Sequence, residues 1–123
     1  MLNNRVVIIE DEENIVDILS YRLSSEPLAV TFIQEGLLAI KAIRDIKPAI
    51  VFLDLNLPGK SGYDILTEMK QSKDLCTIPV ILCSANLEYS QSHKAMGADD
   101  ILVKPYDIQD LINKVYTYLE VLA

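Results

Sequence analysis

Short β-branched runs alternate with stretches of helical periodicity from one end of the chain to the other. Val6-Val7-Ile8-Ile9 is the first apolar run, closed by Glu10-Asp11-Glu12-Glu13. Between Glu13 and Ser24, Ile15, Ile18, Leu19 and Leu23 recur at three- and four-residue steps, which predicts a helix. Leu28 to Ile33 reads as a second strand, bounded by Pro27 and Gly36. Leu37 to Ile46 reads as a helix with Leu37, Ile40 and Ile43 on one side, stopped by Pro48. Ala49 to Leu53 is apolar at every position, as a strand covered on both faces should be. A loop follows from Asp54 to Gly62, then a helix from Asp64 to Gln71 with Ile65, Leu66 and Met69 inward. Pro79 to Cys83 is a fourth strand, its proline at the first position, where a missing N–H is tolerated. Leu87 to Met96 is a more polar helical stretch ended by Gly97, and Ile101-Leu102-Val103 is a short fifth strand. The last helix is the clearest, with Ile108, Leu111, Ile112, Val115, Leu119 and Leu122 on one stripe. Five βα units in succession predict an α/β fold, a parallel sheet between two layers of helices. Neither a repeat nor a linker interrupts the chain, so residues 1–123 read as one domain.

Composition narrows what such a domain can do. Of 123 residues, half are hydrophobic, enough for a core without disulfide or metal staples. The formal charge of −7 argues against coating nucleic acid, which needs a basic face, and against anionic membranes. No apolar run approaches the length of a membrane span and Met1 opens no signal peptide, so a cytoplasmic protein is expected. Cys76 and Cys83 lack metal-ligand spacing; Cys83 reads as core and Cys76 as a loop thiol. With His93 as the sole histidine, catalysis must lean on carboxylates.

In open α/β sheets the working crevice lies beyond the carboxyl ends of the strands. The residues ending the predicted strands are therefore the informative ones. The first strand ends in Glu10-Asp11, the third in Asp54, the fourth in Ser84 and the fifth in Lys104-Pro105. Three carboxylates, a hydroxyl and an amine converge on one edge. Carboxylates so close repel one another, and a hard divalent cation such as Mg²⁺ offsets that where a single lysine cannot. One carboxylate could then attack a phosphoryl group whose oxygens face the metal, the lysine and the Ser84 hydroxyl.

The chain resembles the receiver domains of two-component response regulators along essentially its whole length. The resemblance runs through Val6 to Glu12, Phe52-Leu53-Asp54-Leu55-Asn56-Leu57-Pro58-Gly59, Ser61-Gly62 and Pro79 to Ala85. It continues through Gly97-Ala98-Asp99-Asp100 to Val103-Lys104-Pro105-Tyr106. It implies a flavodoxin-like (βα)5 three-layer sandwich with strand order 2-1-3-4-5. It implies Asp54 as phosphoacceptor, with phosphoryl supplied by a histidine kinase or histidine phosphotransfer protein and lost by self-catalysed hydrolysis. A phosphoacceptor of this kind is a regulatory domain, an enzyme only in that self-catalysis. The same resemblance makes Asp11 the direct Mg²⁺ ligand, with Glu10 acting through water and Asn56 offering its backbone carbonyl. Ser84 matches the hydroxyl that moves onto the phosphoryl group, Lys104 the lysine that pairs with it, and the bond before Pro105 is expected to be cis. A downstream protein is expected on the face of the fourth helix, fifth strand and fifth helix.

Two positions depart from the pattern. Glu10-Asp11 stands where Asp-Asp is commoner, and Ile101 stands where the family usually has the Tyr or Phe that swings inward on activation. An Ile has neither ring nor phenol to report with. Other readings fit less well. An aspartate-nucleophile phosphatase should carry Asp-x-Asp, but Asp54-Leu55-Asn56 lacks the second aspartate; a flavodoxin-like nucleotide binder would not place four acids in its first loop. A pseudo-receiver scaffold would not need Asp11, Asp54 and Lys104 together.

Overall fold

The computed structural model describes residues 3–85, 92 and 97–122, with side chains as far as Leu119. Five strands form one parallel sheet: β1 (Arg5–Ile9), β2 (Ala29–Ile33), β3 (Ile50–Asp54), β4 (Val80–Ser84) and β5 (Asp100–Val103). Their order is β2-β1-β3-β4-β5, the flavodoxin-like arrangement expected from the resemblance. Among the described residues the helices are α1 (Glu13–Leu23), α2 (Ala39–Ile46), α3 (Gly62–Gln71) and the C-terminal α4 (Ile108–Leu122). The helix predicted over Leu87–Met96, with Tyr89 and His93, lies outside the described residues apart from Ser92.

Alternation along each strand separates the two cores. Val7, Ile9, Val51, Leu53, Val80 and Leu82 face α2 and α3, where they meet Ile40, Ile43, Ile65, Leu66 and Met69. Val6, Ile8, Ile50, Phe52, Ile81 and Cys83 face α1 and α4, meeting Leu19, Leu23, Leu111, Val115 and Leu119. A strand covered on both sides has no polar position to spare, hence the unbroken run of β3.

One helix departs from the sequence reading at its start. Gly36–Leu38 forms a tight 3-10 turn and α2 begins at Ala39. Leu37, assigned to the inner stripe with Ile40 and Ile43, is instead 74% exposed, because the turn's tighter pitch rotates it off that face. At α3 the Ser61 hydroxyl accepts the Asp64 N–H at 3.1 Å, capping a helix that starts two residues before the first one predicted.

Candidate acidic site at the carboxyl edge of the sheet

Register decides which side chains meet. Ile9 pairs with Leu53, Asp54 with Cys83 and Ser84 with Val103, so all four strand ends stop level. Glu10, Asp54, Ser84 and Lys104 are therefore neighbours across the sheet. Among the described residues Glu10, Asp54 and Ser84 are also the only buried polar side chains, in a core otherwise hydrophobic. Burying carboxylates costs several kcal/mol each unless they are paired and hydrogen-bonded, and here they are.

Lys104 supplies most of the compensation. Its ammonium donates to Asp54 Oδ2 at 2.9 Å and to Glu10 Oε1 and Oε2 at 3.1 and 3.3 Å. The Lys104–Pro105 bond is cis, as expected, and the Lys104 N–H donates to the Ser84 carbonyl at 2.9 Å, tying the strand ends together. The other Asp54 oxygen, Oδ1, accepts the Asn56 N–H at 2.9 Å. Both oxygens of Asp54 are thus oriented. Asp11 is half-buried, and carboxylate oxygens of Glu10, Asp11 and Asp54 lie within 4.8 Å of one another.

One lysine cannot satisfy three acids, and the protonation preferences record the shortfall. Burial pushes the Glu10 carboxyl up to about 8, with Asp54 adding to the rise and Lys104 opposing it. Burial also opposes ionisation of Asp54, but hydrogen bonds from Glu10, the Asn56 N–H and Lys104 outweigh it and hold its pKa below the ordinary range. Lys104 loses solvation on burial, yet its bonds to Asp54 and Glu10 keep it charged and raise its pKa. The two carboxyls are thus pushed apart, Glu10 toward its protonated form and Asp54 toward its ionised one.

Ile101 packs against the α2/α3 core from β5, flush with the sheet. Cys83 is buried behind Asp54, its thiol pushed up to about 12 by burial, while Cys76 is exposed, as the sequence implied. An apolar cavity of about 330 Å³ beside Lys104, walled by Ile15, Leu19, Pro105 and Tyr106, was not anticipated. Its walls come from α1, the segments that follow β4 and β5, and the first residue of α4. Ile15 and Leu19 read as ordinary core-stripe positions, so nothing local marked them.

The response regulator receiver domain family model matches residues 6–116, and the chain belongs to that family. Solved structures agree. The receiver domain of NtrX from Brucella abortus is 31% identical over 94% of this chain and 98% of its own, with a TM-score of 0.81. The signal receiver domain of a protein described as a Luxo repressor, from Vibrio parahaemolyticus, is 30% identical over 97% and 92%, at 0.86. The receiver domain of the Francisella response regulator 1452 is 24% identical over 98% and 100%, at 0.89, and speaks for the fold alone. The chain is a receiver domain of two-component signalling, a regulatory phosphoacceptor domain.

Receiver domains bind Mg²⁺ at an acidic site, and the donor set here fits that ion: three carboxylates, all oxygen, within 4.8 Å. No helix among the described residues is long and apolar enough to cross a membrane.

Proposed function

We propose that Asp54 is the phosphoacceptor and that residues 1–123 act as one receiver domain. The reading is carried by one observation. Asp54 is a buried carboxyl whose two oxygens are separately held by Lys104 and the Asn56 N–H, beside Glu10 and Asp11. Asp11 and Asp54 would hold Mg²⁺ directly, with the Asn56 carbonyl, and Glu10 would act through water. When bound there, Mg²⁺ would supply positive charge to offset that of the phosphoryl oxygens.

Asp54 bonds to phosphorus as the donor's P–N bond breaks, and the departing imidazole nitrogen keeps the bonding pair. Lys104, already 2.9 Å from Asp54, stays near enough to neutralise charge that builds on the transferring group. Ser84, buried at the end of β4, supplies a hydroxyl at the same edge. Attack of water on phosphorus then restores the carboxylate and releases inorganic phosphate. The donor is a histidine kinase or a histidine phosphotransfer protein in the cytoplasm. The readout partner docks on the face of the fourth predicted helix, β5 and α4, and nucleic acid is not a ligand of this domain.

A labelled small phosphodonor such as acetyl phosphate, with Mg²⁺, tests the assignment without a cognate kinase. The wild type takes up one phosphoryl group, and Asp54→Asn takes up none while keeping its circular dichroism. Asp11→Ala loses most of the Mg²⁺ affinity in a calorimetric titration; unchanged affinity would remove Asp11 from the ligand set.

A further inference from the structure

The loop from Leu55 to Ser61 carries Asn56 past the end of β3, and several attachments hold it. At its start the Asn56 N–H donates to Asp54 Oδ1 at 2.9 Å. At its end the Gly62 N–H donates to the Leu55 carbonyl at 3.2 Å. A Cβ at Gly62 would strike the Asp54 carbonyl oxygen and come within 2.6 Å of Leu55 Cα, so α3 rests directly on the acid's own backbone. In between, the Lys60 ammonium pairs with Glu68 of α3 at 2.6 Å.

One further attachment arrives from another βα unit. Gly36 is buried at the start of the turn after β2 and lies against the Lys60 carbonyl. A Cβ there would collide with the carbonyl oxygen and sit 3.1 Å from its carbon. Backbone stands on both sides of this contact, so neither side yields cheaply. Leu37, the next residue, reaches over Gly59: a Cβ at Gly59 would meet Leu37 Cγ at 3.6 Å and Cδ1 at 3.7 Å. The exposed Leu37 side chain therefore lies beside the loop, on the side of Gly59 where a side chain would stand.

We propose that Gly36 is a positioning residue for the acidic site, acting through the Lys60 carbonyl and the 55–61 loop to keep Asn56 in place beside Asp54. The proposal rests on the assignment of Asp54 and Asn56 to the site. What Gly36 contributes is the absence of a side chain, which lets the β2–α2 turn clamp the loop. A side chain there displaces the loop, and a displacement of even about 1 Å is enough to disturb a reacting geometry.

Gly36→Ala is the test, read three ways: hydrogen exchange of the Asn56 amide in chelator, Mg²⁺ affinity by calorimetry, and urea unfolding. The Asn56 amide is expected to exchange faster while the Val7 amide in β1 stays protected. Mg²⁺ affinity is expected to fall roughly tenfold, the lower end for loss of support behind a metal site. A glycine with a merely structural role would lower stability and leave the Asn56 amide and the Mg²⁺ affinity as they were, and that result overturns the proposal. Leu37→Ala trims the exposed side chain that lies beside Gly59 and leaves the fold intact. It should move the same two readouts in the same direction by less, and it decides the matter if Gly36→Ala does not fold: unchanged readouts overturn the proposal. A wild-type chain that binds no Mg²⁺ would overturn the site assignment itself, while the metal-free Asn56 amide still reports whether Gly36 holds the loop.

Discussion

Lys104 is central to the acidic site because its ammonium bonds both Asp54 and Glu10. Replacing it with methionine keeps the stem that walls the apolar cavity and removes only the charge. In chelator, Lys104→Met should lose about 2–3 kcal/mol, the range of charged hydrogen bonds. The penalty stays below that of a fully buried broken pair because Glu10 can hold a proton. Mg²⁺ should then restore more stability to the variant than it adds to the wild type, since a cation replaces a cation. Urea melts with and without the ion check this; an equal gain in both proteins would separate the lysine from the metal site. Glu10, Asp11, Asp54, Ser84 and Lys104 were legible from sequence because each follows an apolar run that could only be a strand. The grip of Gly36 on Lys60 was not. A close approach between backbones of two βα units leaves no trace in hydrophobic periodicity.

At the scale of elements, the sheet was readable because both of its faces are covered, so its strands are continuously apolar. The start of α2 was not. Leu37 keeps helical spacing with Ile40, and only the turn at Gly36–Leu38 takes it out of the stripe. Tyr116 and Tyr118 are partly buried and pack on the α1/α4 core. Their hydroxyls donate to Glu26 at 2.6 Å and to the Asp99 carbonyl at 3.3 Å. These partners are too distant in sequence for a local pattern to reveal. β5 carries the main functional departure. Ile101 is wedged against the α2/α3 core without a ring to rotate. In a complex with beryllofluoride, a phosphoryl mimic, the Ser84 signals should shift while the Ile101 methyls keep their core contacts. Methyl NMR reads this directly, and a large displacement of Ile101 would show that an aliphatic side chain performs the aromatic's movement.

For the molecule as a whole, two apolar layers cover a parallel sheet, and the register of that sheet brings the ends of β1, β3, β4 and β5 level at one edge. The formal charge of −7 acquires a meaning at this scale. Part of it is concentrated in an acidic triad, two of whose members are buried, beside a single lysine. Phosphorylation at Asp54, as proposed, would add negative charge at that one edge. The central claim is that Asp54 receives the phosphoryl group. Its most direct test is to phosphorylate the wild-type chain with Mg²⁺ and acetyl phosphate, reduce the acyl phosphate with borohydride, and locate the resulting homoserine by peptide mass spectrometry. The homoserine should appear at position 54 and vanish when Mg²⁺ is chelated beforehand; homoserine at position 11, or a phosphoryl group retained on another residue, would contradict the account.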